Sequence, residues 1–135
     1  MNLLQVRILV EDFQKSVAFY RDQLELKVDW YEESMEYALF HTGAARVELL
    51  SRKAMSQSLG EVLESNNPYA TNFLLNIEVE DLDATYARLR EKDVQFVKEP
   101  HYNAQWKGQF AYFRDLDGTL IELYQAAKKE DGVNV

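Results

Sequence analysis

The chain contains an internal repeat, and this repeat limits the folds that it can adopt. The segment Ile8-x-Val10-Glu11-Asp12-Phe13 returns 69 positions later as Ile77-x-Val79-Glu80-Asp81-Leu82. Each copy has the pattern of a strand end, an acidic pair and a helix start, with the aspartate as N-cap. The segments 47–49 and 121–123, both aliphatic-Glu-Leu, match as the final strands of the two copies. The repeat predicts an α+β fold built from two strand–helix–three-strand (βαβββ) modules.

The predicted organisation is a single domain with a first module over 1–51, a linker over 52–71, a second module over 72–126 and a polar tail over 127–135. The linker interrupts the alternation with Ser, Gly and Asn-Asn-Pro, and we predict one short helix within it, over 60–64. Pro100 is predicted to end a strand over 94–97 and to open a loop over 100–109.

Composition excludes several classes of function. The 135 residues include no cysteine, which removes disulfides, thiolate nucleophiles and Cys-ligated zinc. The formal net charge is −8, which makes nucleic acid an unfavourable partner and favours cationic ligands. No apolar run reaches the roughly 20 residues of a membrane span, and the first residues lack a signal-peptide pattern. We therefore expect a cytoplasmic protein with no nucleic-acid or membrane partner.

Strand alternation gives the predicted sheet two chemically different faces. The aliphatic face, which must pack against the helices, carries Val6, Ile8, Val10, Val47, Leu49, Leu75, Ile77, Val79, Ile121 and Leu123. The opposite face carries polar side chains at matching positions of both modules: Gln5, Arg7, Arg46, Glu48, Asn76, Glu122 and Tyr124. A solvated outer face is one interpretation. The matching positions favour the other, a curved mixed sheet whose concave side is a ligand cleft.

Three segments of the sequence together form a recognisable pattern: LLQVRILVEDFQKSVAFYRDQLELKV, LNIEVEDLDATYARLREKDVQFVKEP and FRDLDGTLIELYQ. They resemble the vicinal oxygen chelate superfamily, which contains glyoxalase I, bleomycin-resistance proteins and extradiol dioxygenases. The first segment resembles the opening strand, helix and strand of that superfamily, and the second resembles their second-half counterpart. The third resembles the closing Arg-Asp-Pro-x-Gly-x-x-x-Glu-Leu signature, with Leu116 in place of proline. The resemblance implies the glyoxalase/bleomycin-resistance fold, whereas activity varies widely on that fold.

The resemblance also implies a metal site, since glyoxalase-like members chelate a divalent cation with two side chains from each half. Gln5, Glu48 and Glu122 match three of these positions, but Leu74 stands where a histidine is expected. The remaining oxygen donors suit Mg²⁺ or Mn²⁺ and would hold them weakly. The cofactor prediction is therefore none or a weakly bound divalent metal. The alternative for Glu48 and Glu122 is a pair of carboxylates that are solvated or paired with arginines.

Arginine and aromatic residues supply candidate ligand contacts. Arg7 and Arg46 could hold a substrate carboxylate, or could form salt bridges within the sheet. Trp106 lies in a Trp-x-Gly segment that resembles one in metal-free resistance proteins, where a flat cationic drug packs against aromatics. Tyr102, Tyr124, Asn76 and Trp30 are further candidate ligand contacts, and covering a sheet end is the alternative for both tryptophans. His41 and His101 match no ligand position.

These observations predict a small-molecule binding protein. The ligand is aromatic or cationic, the protein is metal-independent or binds metal weakly, and the resemblance implies a homodimer. The alternative is a divalent-metal-dependent lyase or isomerase, in which Glu48 and Glu122 would be catalytic. A third interpretation is a fold that serves only protein–protein contact.

Overall fold

The computed structural model describes residues 1, 4–63 and 73–127, and the chain divides into two compact units, Met1–Pro68 and Tyr69–Val135. Each unit contains one four-stranded mixed sheet with helices, so the predicted α+β fold of two βαβββ modules is confirmed. Within the described residues, no helix is long and apolar enough to span a membrane.

The first unit holds β1 (Val6–Val10), α1 (Phe13–Ala18) with a π-helical turn (Phe19–Gln23), β2 (Lys27–Glu32), a 3₁₀ turn (Glu33–Met35), β3 (Tyr37–Thr42), β4 (Ala45–Ser51) and α2 (Arg52–Leu59). The strand order is β1-β4-β3-β2, and β1 is parallel to β4. Asp12 begins α1 as predicted, because its side chain accepts a hydrogen bond from Lys15 N at 3.0 Å. Ile8 and Leu49 are buried on the aliphatic face.

The second unit holds β5 (Leu74–Glu78), α3 (Leu82–Glu91), β6 (Phe96–Asn103), β7 (Gly108–Arg114) and β8 (Leu120–Ala126). The strand order is β5-β8-β7-β6, and β5 is parallel to β8, so the connectivity of the first unit is repeated. Asp81 caps α3 through a bond from Ala84 N at 3.0 Å. Ile121 and Leu123 are buried, whereas Leu75 and Ile77 on the edge strand are only half-buried.

The helix predicted over 60–64 lies elsewhere. The segment Arg52–Leu59 forms α2, immediately after β4 and inside the predicted linker. Ser51 caps this helix by accepting a hydrogen bond from Ala54 N, and Gly60 ends it with a φ of 81°. Glycine adopts that left-handed conformation without a steric penalty, so Gly60 marks the end of a helix rather than the start of one. Residues 64–71 of the predicted linker and 128–135 of the predicted tail lie outside the described residues.

Pro100 does not end its strand. The strand β6 continues through it from Phe96 to Asn103, so the predicted loop over 100–109 is confined to the turn at 104–107. The strand tolerates proline because β6 lies at the edge of its sheet and shifts register between Lys98 and His101. His101 and Tyr102 are therefore strand residues, and only Trp106 lies in the turn.

Candidate functional site

The carboxylate of Glu48 in the first unit is buried and has partners on both oxygens. Arg7 Nε lies 2.9 Å from Oε1, and the Tyr37 hydroxyl donates a hydrogen bond to Oε2. Arg7 and Glu48 are register partners on the adjacent parallel strands β1 and β4. Glu48 is only 2% exposed, whereas the Arg7 side chain is 43% exposed. Of the two predicted roles for Arg7, the structure shows the salt bridge within the sheet.

Tyr37 is held as a hydrogen-bond donor. Burial, followed by the hydrogen bond and negative charge of Glu48, raises the pKa of Tyr37 to about 12. The hydroxyl therefore keeps its proton at physiological pH. The ring also packs edge-on against Trp30, with centroids 5.3 Å apart.

A cavity of about 990 Å³ opens in the first unit beside this pair. Its charged and aromatic lining residues are Arg7, Trp30, Glu33, Glu36, Tyr37, Glu48 and Lys53. The two carboxylates other than Glu48 are also engaged, since Gln14 Nε2 donates to Glu33 at 2.6 Å and Ser51 Oγ donates to Glu36 at 2.8 Å. Trp30 is 53% exposed and offers its indole to the cavity. The cavity therefore combines an aromatic wall with mixed charge.

Glu122 occupies the same register position in the second unit but has different partners. It pairs across β5 with Asn76, whose Nδ2 donates to Glu122 Oε1 at 3.0 Å. Glu122 is 5% exposed, and burial raises the pKa of its carboxyl group although the Asn76 hydrogen bond opposes this rise. Among residues 4–63 and 73–127, no lysine or arginine forms an ion pair with Glu122.

The difference between the two glutamates follows from two substitutions between the duplicated sheets. Arg7 in the first unit corresponds to the neutral Asn76 in the second. Tyr37 pairs with the residue two positions beyond Glu48, and Phe110 pairs with the residue two positions beyond Glu122. Since Phe110 has no hydroxyl, the described residues give Glu122 neither the cation nor the hydroxyl donor that Glu48 has.

An aromatic pocket of about 450 Å³ lies over Glu122 and is lined by Asn76, Trp106, Phe110, Glu122 and Tyr124. Trp106 packs edge-on against Phe110 with centroids 5.4 Å apart, and Phe110 lies 5.2 Å from Tyr124. The indole of Trp106 is 56% exposed, so one aromatic surface remains open to a ligand. This pocket brings together four residues that the sequence nominated: Asn76, Trp106, Glu122 and Tyr124.

The other candidate residues from the sequence line neither of these two pockets. Arg46 is exposed on β4, and Tyr102 is exposed on the edge strand β6. His41 lies 3.6 Å from Asp29 and belongs to neither lining. Gln5 precedes β1 and is half-buried, and Leu74 begins β5 with 38% of its surface exposed.

The residues of the first unit do not fit the metal that the family implies. Both Glu48 oxygens already have donors, and the guanidinium of Arg7 places a positive charge beside the carboxylate. A divalent cation there would have to displace Arg7 and overcome its repulsion. In the described parts of the chain, no three His, Cys, Asp or Glu side chains are grouped so that they could hold a metal ion.

Sequence reasoning missed Tyr37, Phe110 and Lys53. The direct register partners of the two glutamates are Leu39 and Tyr112. Tyr37 and Phe110 each lie two positions from one of these partners, so strand alternation places both on the same face as the glutamates. Aligning the strands of the first unit would have placed the Tyr37 hydroxyl close to the Glu48 carboxylate. Lys53 was missed because the helix α2 was predicted in the wrong place.

The duplicated βαβββ units, with a glutamate at the same position of each final strand, define a protein of the vicinal oxygen chelate class. The family model described as Glyoxalase/Bleomycin resistance protein/Dioxygenase superfamily matches residues 2–123. The chain belongs to this superfamily, which confirms the resemblance seen in the sequence. Members of the superfamily often use divalent metals.

Two curated proteins and one solved structure illustrate the relationship. The uncharacterized protein YraH of Bacillus subtilis is 48% identical over 93% of this chain and 98% of its own length. A probable lactoylglutathione lyase of Synechocystis is 28% identical over 97% of this chain and all of its own length (100%). The structure of a glyoxalase/bleomycin resistance protein/dioxygenase from Nocardioides has a TM-score of 0.78 at 18% identity, covering 96% of this chain and 86% of that one. That last match shows the shared fold alone.

Proposed function

We propose that this chain is a metal-independent small-molecule binding protein whose second unit takes a flat, cationic ligand. The ligand packs on Trp106 and places its positive charge toward Glu122. The observation that carries this proposal is the state of Glu122, a buried carboxylate without an ion pair in the described residues, beneath an open aromatic pocket. A buried carboxylate without a cation is costly, and a cationic ligand would offset that cost.

The aromatic residues support the same ligand class. A cation over an indole face gains about 0.5–2 kcal/mol, and a neighbouring carboxylate adds a charge-assisted contact. The net charge of −8 also raises the local concentration of cations around the chain. The side-chain amide of Asn76 donates a hydrogen bond to one Glu122 oxygen and so holds the carboxylate in a fixed orientation.

The test uses three molecules of similar shape and different charge: N-methylquinolinium, neutral quinoline and naphthoate. A Trp30→Phe variant leaves Trp106 as the remaining tryptophan of the two in the chain, so that quenching reports the second unit. With EDTA present, we expect quenching by N-methylquinolinium at concentrations at which quinoline quenches less and naphthoate not at all. Equal affinity for all three molecules, or a requirement for added metal, would contradict the proposal.

A metal-dependent lyase or isomerase is the alternative. It is supported by the similarity to a probable lactoylglutathione lyase and by carboxylates at positions 48 and 122, where the family places metal ligands. This alternative predicts that Mn²⁺ or Mg²⁺ raises the melting temperature and that the metal-loaded protein has lactoylglutathione lyase activity. A protein purified without metal, with an unchanged melt and no turnover, would exclude it.

We further propose that the protein is a cytoplasmic homodimer, as the family resemblance implies. Light scattering on the purified chain should give twice the monomer mass of 15.8 kDa. A monomer mass at micromolar concentration would overturn the oligomeric part of the proposal.

A further inference from the structure

We infer that the Glu48 site of the first unit is a cation site that the chain fills with its own Arg7 guanidinium. Arg7 thereby closes this carboxylate to metals and to cationic ligands. The inference concerns the first unit alone, and it does not depend on the ligand proposed for the Trp106 pocket.

The Glu48 carboxylate has the surroundings of an anion that already binds a cation. The carboxylate is 2% exposed, receives Arg7 Nε at 2.9 Å on one oxygen and receives the Tyr37 hydroxyl on the other. A positive charge stabilises a buried carboxylate, because desolvation penalises its charged form. The guanidinium supplies that charge from the register position directly across the strand pair.

Arg7 also occupies the accessible side of the site. Its side chain is 43% exposed and lines the 990 Å³ cavity, whereas that of Glu48 is 3% exposed. The other polar contact of the guanidinium is weak, since Nη1 lies 3.9 Å from the sulfur of Met55. Truncating Arg7 would therefore open a path from the cavity to the carboxylate and leave the rest of the pocket lining in place.

The second unit supplies an internal comparison. Asn76 occupies the position of Arg7 and makes the corresponding bond to Glu122, but it brings no charge. Of the two duplicated sheets, one thus holds a glutamate paired with a built-in cation, and the other holds a glutamate that pairs with no cation among the described residues. The residue opposite the glutamate on the first strand of each unit therefore determines which carboxylate can accept an external cation.

The experiment is a chemical rescue of Arg7→Ala. Thermal melts are recorded with no addition, with millimolar methylguanidinium and with Mn²⁺, and Mn²⁺ binding is read independently by electron paramagnetic resonance. We expect Arg7→Ala to melt below the parent and to gain about 3 °C with methylguanidinium. It should also bind Mn²⁺ at least tenfold more tightly than the parent. The double variant Arg7→Ala/Glu48→Gln should show neither gain.

Arg46→Ala is the matched control, because it removes the same charge from an exposed arginine on the strand that carries Glu48. It should respond to neither probe. If Arg7→Ala fails to fold, Arg7→Gln removes the charge with less loss of packing and should give the same gains. A folded Arg7 variant that responds to neither probe would overturn the inference. So would a parent protein whose Mn²⁺ response disappears in Glu48→Gln.

Discussion

Glu48 and Glu122 occupy the same register position in the two duplicated sheets, but different side chains compensate the buried negative charge of each carboxylate. Arg7 and Tyr37 donate to the two oxygens of Glu48, whereas Asn76 donates to Oε1 of Glu122. Burial raises the pKa of Glu122, as expected for a carboxylate that gains little compensation. One duplicated element has thus diverged into a structural ion pair and a candidate binding group.

Glu122→Gln should weaken N-methylquinolinium binding by roughly 10- to 100-fold, because it removes a charge-assisted contact. The same change should raise the free energy of unfolding at neutral pH, since an amide avoids the cost of a buried charge. Fluorescence titration and urea denaturation measure the two effects. Glu99→Gln, an exposed acid on β6, is the control and should change neither.

Asn76→Arg should convert the second unit to the arrangement of the first. The new guanidinium would pair with Glu122, lower the pKa of that carboxyl group and abolish binding of N-methylquinolinium. Asn76→Gln, which adds length without charge, should keep most of the affinity. If the arginine variant is folded and binds the cation as tightly as the parent, Glu122 is not the charge that the ligand meets.

Binding of a cation should depend on pH through Glu122. Burial raises the pKa of this carboxyl group above its ordinary value, so affinity for the cation should increase as pH rises through the raised pKa. Stability should change in the opposite direction. The folded state holds this proton more tightly than the unfolded state. The contribution of Glu122 to stability therefore decreases as pH rises from the unfolded-state pKa to the folded-state pKa. Subtracting the pH profile of Glu122→Gln isolates both effects from the other acids, and a flat difference would contradict them.

Tyr37→Phe should destabilise the chain by about 1–3 kcal/mol, because it leaves one oxygen of a buried carboxylate without its donor. Tyr31→Phe is the matched control: that ring stacks on Phe13 at 5.7 Å and is partly exposed. Its loss of a hydroxyl should change stability by less than about 0.5 kcal/mol. Equal effects of the two substitutions in urea denaturation would argue against a buried Tyr37–Glu48 bond.

Gly108→Ala should damage the aromatic pocket. A β-carbon at this position would lie 2.6 Å from Cε1 of Tyr124 and 3.0 Å from the carbonyl oxygen of Gln125, so the Tyr124 ring must move. We expect a loss of about 1–3 kcal/mol in stability together with weaker N-methylquinolinium binding. Gly60→Ala should also destabilise, because its φ is 81°, but should leave binding unchanged.

Local signals made much of the fold predictable. Alternation defined the strands, and the aspartates before the two helices are N-caps in the structure, because a cap depends on residues only three positions away. The helix α2 was misplaced because its start is set by Ser51, which also ends a strand. The prediction that Pro100 ends its strand was wrong because an edge strand can contain a proline. Whether β6 is an edge strand depends on the order of strands in the whole sheet.

The candidate sites were predictable only in part. Alternation placed Arg7, Glu48, Asn76 and Glu122 on one kind of face, and the resemblance marked both glutamates. Neither alternation nor the resemblance could show that Arg7 reaches Glu48, 41 positions away, or that Tyr37 donates to the second oxygen of Glu48. Those contacts depend on strand register, and a shift of one residue would reverse every side chain.

Pro100 has a consequence for how copies of this chain can associate. The edge strand β6 carries a residue without an N–H and two shifts of register, so its row of free donors is interrupted. An incoming strand would find no continuous ladder there, which discourages growth of the sheet from one molecule into the next. We therefore expect self-association of this chain to proceed through surfaces other than the open side of β6.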